Sequence, residues 1–142
     1  MALVRILVVD DSDAWRSVIA GILRRSANWR VVSEASNGAE AVQRSLELHP
    51  DLVLMDLELT RHDGLKTARD IGLFTPSAKI LFVGTPQSPE QVQEALDTGA
   101  RGIVLKSEAA LELVSAIQAV LKGTRFVSRK ISPGELAGAW DA

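Results

Sequence analysis

The sequence contains no cysteine, which excludes disulfides, thiolate nucleophiles and cysteine-ligated zinc. It also lacks a long apolar run. Arg5 interrupts the first hydrophobic stretch and Asp10-Asp11 end it after Ile6-Leu7-Val8-Val9, so no secretory leader is expected there. No other run approaches the ~20 apolar residues that cross a bilayer, so no membrane association is expected. Excess positive charge is absent too: 16 basic against 18 acidic side chains leave a formal net charge of −2. That balance argues against direct nucleic-acid binding by a broad surface. Trp15 and Trp29 have no aromatic partners that would make a base-stacking platform. The expectation is core packing for Trp15 and loop cover for Trp29. A soluble, cysteine-free chain suits the cytoplasm.

What remains is an ordinary globular composition, 46% hydrophobic and 24% charged over 142 residues, the size of one domain. Its pattern alternates. Val4 to Val9 reads as a strand buried on both faces. Ser12 then caps a helix whose core stripe is Trp15, Val18, Ile19, Ile22 and Leu23. Strand two is expected over Arg30 to Glu34, and helix two over Ala39 to Leu48 after the turn signal Asn37-Gly38. Strand three spans Leu52 to Met55; helix three runs from Gly64 to about Ile71, with Gly72 as its stop. Strand four spans Lys79 to Val83, helix four opens at Pro89-Glu90 and Gly99 closes it. Strand five is Gly102 to Leu105 and helix five Ala109 to Lys122. These units predict a flavodoxin-like, doubly wound, five-stranded parallel sheet in the order 2-1-3-4-5, with helices on both faces. The domain is expected over 1–123. Residues 124–142, with Pro133, Gly134 and Gly138, read as a tail or linker remnant without an output domain.

Ligands of such sheets bind beyond the carboxyl ends of the strands, where the strand order reverses. Here that point lies between strands one and three. Asp10 and Asp11 follow strand one and Asp56 follows strand three, with adjacent strands about 4.8 Å apart. Three converging carboxylates repel unless a cation sits among them, and Mg²⁺ is the simplest hard oxygen-seeking candidate. Lys106 ends strand five, within reach of Asp56 or of a phosphoryl group attached to it.

This constellation resembles the receiver domain of two-component response regulators. The carriers are Ile6-Leu7-Val8-Val9-Asp10-Asp11-Ser12, Leu52-Val53-Leu54-Met55-Asp56, Asp63-Gly64 and Gly102-Ile103-Val104-Leu105-Lys106. The stretches Thr98-Gly99-Ala100-Arg101-Gly102 and Phe126-Val127-Ser128 are similar to those of regulators that precede a LuxR-type helix-turn-helix. The resemblance implies that Asp56 is the phosphoacceptor and a metal ligand. It makes Asp11 a direct Mg²⁺ ligand and gives Asp10 support of the metal through water. The Glu58 carbonyl becomes the third protein ligand, and Lys106 the phosphoryl contact. The implied partner is a histidine kinase or phosphotransfer protein, a homodimer being a further option. The implied output face is helix four, strand five and helix five. The chain is then a phosphoacceptor that assists its own phosphorylation and dephosphorylation, rather than an enzyme.

The pattern also departs from the family. Gly84 stands where receivers carry Thr or Ser, Thr85 follows it with the opposite side-chain direction, and Ile103 replaces the usual aromatic. Thr60 and Ser107 stand where prolines are common. His62 and His49 read as a solvated loop residue and a helix-end residue, and Arg24-Arg25 as a solvated helix end. Two other function classes stay open. One is a degenerate receiver acting as a phosphorylation-independent binding scaffold. The other is an Asp-x-Asp phosphohydrolase built on Asp11-Ser12-Asp13, although Gly84-Thr85-Pro86-Gln87 offers no later acidic motif.

Overall fold

The computed structural model describes residues 3–59 and 63–131. Five βα units follow in order: β1 Val4–Val9, α1 Asp13–Leu23, β2 Trp29–Ala35, α2 Gly38–Leu48, β3 Leu52–Asp56, α3 Asp63–Phe74, β4 Lys79–Gly84, α4 Pro89–Asp97, β5 Gly102–Leu105 and α5 Ala109–Leu121. A 3₁₀ turn, Lys106–Glu108, joins β5 to α5. All strand pairs are parallel, and the order β2-β1-β3-β4-β5 is the one expected.

Alternation along the strands divides the core into two layers. Leu7, Val9, Val53, Met55, Phe82 and Ile103 face α2, α3 and α4, where Ala41, Ile71 and Val92 meet them. Ile6, Val8, Leu52, Leu54, Leu81, Val83 and Val104 face α1 and α5, where Ile19, Ile22, Leu113 and Ile117 meet them. Strands buried on both faces carry apolar residues at every position, so each reads as a short continuous run. Side-chain caps fix the helix starts: Ser12 accepts from Trp15 N–H, Asn37 from Glu40 N–H and Ser88 from Gln91 N–H.

Four expectations need correction. The sheet has six strands, because Phe126–Val127 forms β6 beside β5 with Gly102 opposite Phe126. Two residues are too few to carry a periodic signal. The signal that does exist is Gly102, whose absent side chain would overlap the Phe126 carbonyl oxygen. Gly72 is no stop: α3 continues to Phe74, and a Cβ at Gly72 would meet only open space. A solvent-facing glycine costs a helix only about 1 kcal/mol. Trp29 begins β2 and packs against the α1–α5 layer instead of covering a loop. Trp15 and Val18 lie outside the core, Val18 being 48% exposed, so the buried stripe of α1 narrows to Ile19, Ile22 and Leu23. Thr60, His62 and the positions Pro133, Gly134 and Gly138 lie outside the described residues.

Candidate functional site

Register brings the acids together. Val9 pairs with Met55, so the next residues, Asp10 and Asp56, emerge side by side at the carboxyl ends of β1 and β3. One carboxylate oxygen from each of Asp10, Asp11 and Asp56 lies within 4.8 Å of the others. Asp10 and Asp56 are buried, whereas Asp11 is exposed at the mouth.

The β1–α1 loop is held from several directions. Ser12 N–H donates to Asp10 Oδ1 at 2.9 Å, and Arg16 Nη1 donates to the Asp10 carbonyl at 2.6 Å. Arg16 also pairs with Glu34 at 2.8 Å and with Asp13. Asp13 is therefore engaged by Arg16 and is not among the clustered acids, which removes geometric support from an Asp-x-Asp phosphohydrolase.

Lys106 enters from the far side. Its Nζ lies 3.3 Å from Asp10 Oδ2 and 3.4 Å from Asp56 Oδ1. The reach estimated from strand spacing thus holds. Two features aim this side chain. Leu105 N–H donates to Ser128 Oγ at 2.8 Å, and Ser128 in turn donates to Glu112 Oε1 at 2.5 Å, tying the end of β5 to α5 and to the segment after β6. The indole of Trp15 lies under the ammonium, its centroid 5.0 Å from Nζ. Trp15, expected in the core, instead borders the acid site. Sequence periodicity missed this because a first-turn tryptophan reads as part of the helix stripe.

Electrostatics follow from burial and proximity. Burial raises the Asp56 carboxyl above its ordinary value, helped by the neighbouring Asp10 charge and opposed by Glu58 N–H, which donates to Oδ1 at 3.0 Å, and by Lys106. Burial pulls Lys106 down, but attraction to the Asp56 and Asp10 carboxylates outweighs it and leaves the ammonium above its ordinary value. Asp10 Oδ2 is buried without an aligned hydrogen-bond donor, its compensation being the Lys106 charge. Three carboxylates against one ammonium leave two negative charges to be balanced. An all-oxygen donor set with that excess fits a hard dication such as Mg²⁺.

The carboxyl end of β4 differs. Gly84 is followed by Thr85, whose N–H donates to both Glu58 carboxylate oxygens at 2.9 Å. A Cβ on Gly84 would lie 2.5 Å from Leu57 Cβ and 2.8 Å from Glu58 Oε2. Partial burial raises the Glu58 carboxyl; the Thr85 hydrogen bond opposes this and the Asp56 charge adds to it. Only the Glu58 carbonyl was singled out from sequence, so the carboxylate is an addition. Ile103 is fully buried in the α2–α4 layer.

Elsewhere, a cavity of about 750 Å³ lies at the amino end of β4, lined by Arg69, Lys79, Ile80 and Arg101 among others, away from the acids. No described helix is long and apolar enough to cross a membrane.

Comparison with known proteins agrees with this geometry. Residues 6–118 match the response regulator receiver domain family. The transcriptional regulatory protein LnrK of Bacillus subtilis (strain 168) is 34% identical over 121 residues, 85% of this chain and 55% of that protein. The response regulator GacA of Pseudomonas viridiflava is 33% identical over 130 residues, 92% of this chain and 61% of that protein. The chain thus spans just over half to three-fifths of the length of these relatives. Among solved structures, a LuxR-family two-component response regulator from Aurantimonas sp. SI85-9A1 superposes with a TM-score of 0.83 at 34% identity, covering 94% of this chain and 93% of that one. The receiver domain of a putative NarL regulator from Mycobacterium tuberculosis gives 0.80 at 30% identity, covering 87% and 99%. Sheet order, clustered acids and a family match spanning most of the chain agree: the protein belongs to the response regulator receiver family.

Proposed function

We propose that this chain is a phosphoacceptor signalling module that takes a phosphoryl group onto Asp56 from a histidine kinase or phosphotransfer protein. The observation that carries this reading is the placement in one crevice of Asp10, Asp11 and Asp56, their carboxylates within 4.8 Å of one another, with the Lys106 ammonium 3.3 Å from Asp10 and 3.4 Å from Asp56. Receiver domains are phosphoacceptors rather than conventional enzymes, and they bind Mg²⁺ at an acidic pocket. In this chain Asp11, Asp56 and the Glu58 carbonyl would hold the ion directly and Asp10 through water. When bound, Mg²⁺ supplies neutralisation of the equatorial phosphoryl oxygens.

The residues do the rest. An Asp56 carboxylate oxygen forms the new bond to phosphorus, the bond to the donor's leaving atom breaks, and that atom keeps the electron pair. Lys106 follows the charge, moving its attraction from the Asp56 carboxylate to the phosphoryl oxygens. The reading extends the receiver unit past the expected limit of 123 to take in β6, places it in the cytoplasm, and assigns relay to α4, β5 and α5, with a homodimer as one assembly. No direct nucleic-acid contact by this chain is part of it. A scaffold that works without phosphorylation is the second reading. It draws on Gly84 and Ile103, where a switch hydroxyl and aromatic are missing.

Intact mass after incubation with Mg²⁺ and a small acyl phosphate tests the assignment. A gain of one phosphate is expected in the wild type, none without metal and none in Asp56→Asn. Undiminished labelling of Asp56→Asn would reject Asp56, and no labelling of the wild type would favour the scaffold.

A further inference from the structure

The end of β4 holds an anion already. Asp56 pairs with Val83, so Thr85, two residues further on, lies just past the end of the neighbouring strand, at the mouth of the same crevice. A backbone N–H there is a ready donor for an anion on Asp56. In this structure it is taken, because both oxygens of Glu58 accept from Thr85 N–H at 2.9 Å. Gly84 permits the arrangement. Any side chain at this position would press on Leu57 Cβ and the Glu58 carboxylate, so Leu57-Glu58 can fold over the strand end only while residue 84 is glycine.

We infer that Glu58 is a positioning residue that keeps the phosphoryl seat closed in the resting protein, its carboxylate occupying Thr85 N–H until a phosphoryl group on Asp56 displaces it. The inference rests on the phosphoacceptor reading above and deepens it. An aspartyl phosphate places nearly two negative charges where the carboxylate had one, and three acceptor oxygens, beside Glu58. Two anions cannot share one N–H donor, and the covalently held phosphate is the one that stays. Glu58 must then swing outward, releasing Leu57 and the β4–α4 loop. The absence of a hydroxyl at Gly84 therefore need not leave the strand end without a response: displacement of an internal anion replaces recruitment of a hydroxyl.

The full chain, with Glu58→Ala and Glu58→Gln, provides the test. The probe is BeF₃⁻ with saturating Mg²⁺, a tetrahedral carboxylate-bound stand-in for a phosphoryl group. Before any addition, the Thr85 amide resonance should move strongly in Glu58→Ala and little in Glu58→Gln, whose side-chain oxygen still accepts. BeF₃⁻ should then bind Glu58→Ala about 10-fold more tightly than wild type, with Glu58→Gln between them. Equal gains in both variants would reduce Glu58 to a diffuse charge and overturn the seat. Equal binding by all three proteins overturns it as well, while leaving the phosphoacceptor reading standing. Binding by none of the three overturns both.

Discussion

The two halves of the crevice are built on different principles. At β1, β3 and β5 the side chains are buried and cross-linked: Lys106 bridges Asp10 and Asp56, and Ser12 and Arg16 hold the Asp10 loop. At β4 the key groups are a glycine, a backbone N–H and an exposed glutamate that folds over both. The first half depends on charge balance in a low-dielectric site, where removing one partner leaves others uncompensated. The second depends on space and on a single donor. The halves should therefore fail differently when altered.

Lys106→Met gives the largest contrast. It strands the buried Asp10 and Asp56 without their cation, and metal-free stability should fall by on the order of 3 kcal/mol. Urea unfolding in a chelator should show the loss, and Mg²⁺ should recover part of it. Labelling by an acyl phosphate should slow on the order of 100-fold, as for loss of one charge-stabilising donor. A variant as stable and as readily labelled as wild type would show that the acid half is not organised around this ammonium.

Gly84→Thr probes the other half. The added Cβ meets Leu57 Cβ at 2.5 Å, so overpacking should cost about 1–3 kcal/mol. The glutamate oxygen lies at the end of a flexible chain, while Leu57 Cβ does not, so Glu58→Ala should relieve only part of the cost. A double-mutant cycle of thermal unfolding measures that coupling. Complete relief would place the whole conflict on Glu58, and none would place it on Leu57.

The same contrast governs what was legible in the sequence. β1 and β5 are bounded by acids, glycine or lysine, and their predicted limits coincide with the observed Val4–Val9 and Gly102–Leu105. Asp10, Asp56 and Lys106 converge because parallel register and strand order alone determine where strand ends meet. The glutamate seat depends instead on a pair 26 residues apart, Glu58 and Gly84, and on how one flexible side chain folds. No periodicity encodes that. β6 escaped for a related reason, since its evidence is the missing side chain of Gly102 on another strand. Trp15 shows the limit of a helical stripe: 3.6-residue spacing gives a face, but not whether the first turn of that face meets the core or a site.

Asp56→Asn should raise stability while abolishing labelling. Burial lifts the native Asp56 carboxyl above its ordinary 3.8, so the folded chain holds this proton more tightly than the unfolded one. The group's contribution is then most favourable below 3.8 and is lost as pH rises through the lifted value. Near neutral pH the carboxylate is a net burden in the metal-free protein, and its neutral isostere removes that burden. A Tm above that of the wild type is expected in a chelator. The gain should shrink toward pH 4 and shrink again when Mg²⁺ stabilises the wild type. A lower Tm for the variant would mean that the Lys106 ion pair outweighs the burial of Asp56.

The smallest expected effect concerns Trp15, which touches the acid half without belonging to its charge balance. A ring centroid 5.0 Å from Nζ is within cation–π range, worth about 0.5–1 kcal/mol at a partly exposed site. Trp15→Leu keeps apolar bulk on α1 but removes the negative ring face. Lys106 still has Asp10 and Asp56 to hold it, at 3.3 and 3.4 Å, so its mean position should survive while its range of motion widens. Acyl phosphate labelling should slow by about 2–5-fold, the rate equivalent of that energy, with Mg²⁺ affinity nearly unchanged because no ligand is altered. Trp15→Phe, which retains a weaker ring face, should fall between the two. Equal rates for Phe and Leu would show that the indole only fills space. A loss approaching that of Lys106→Met would make Trp15 a principal support of the ammonium and shift weight in the acid half from its carboxylates to the first turn of α1.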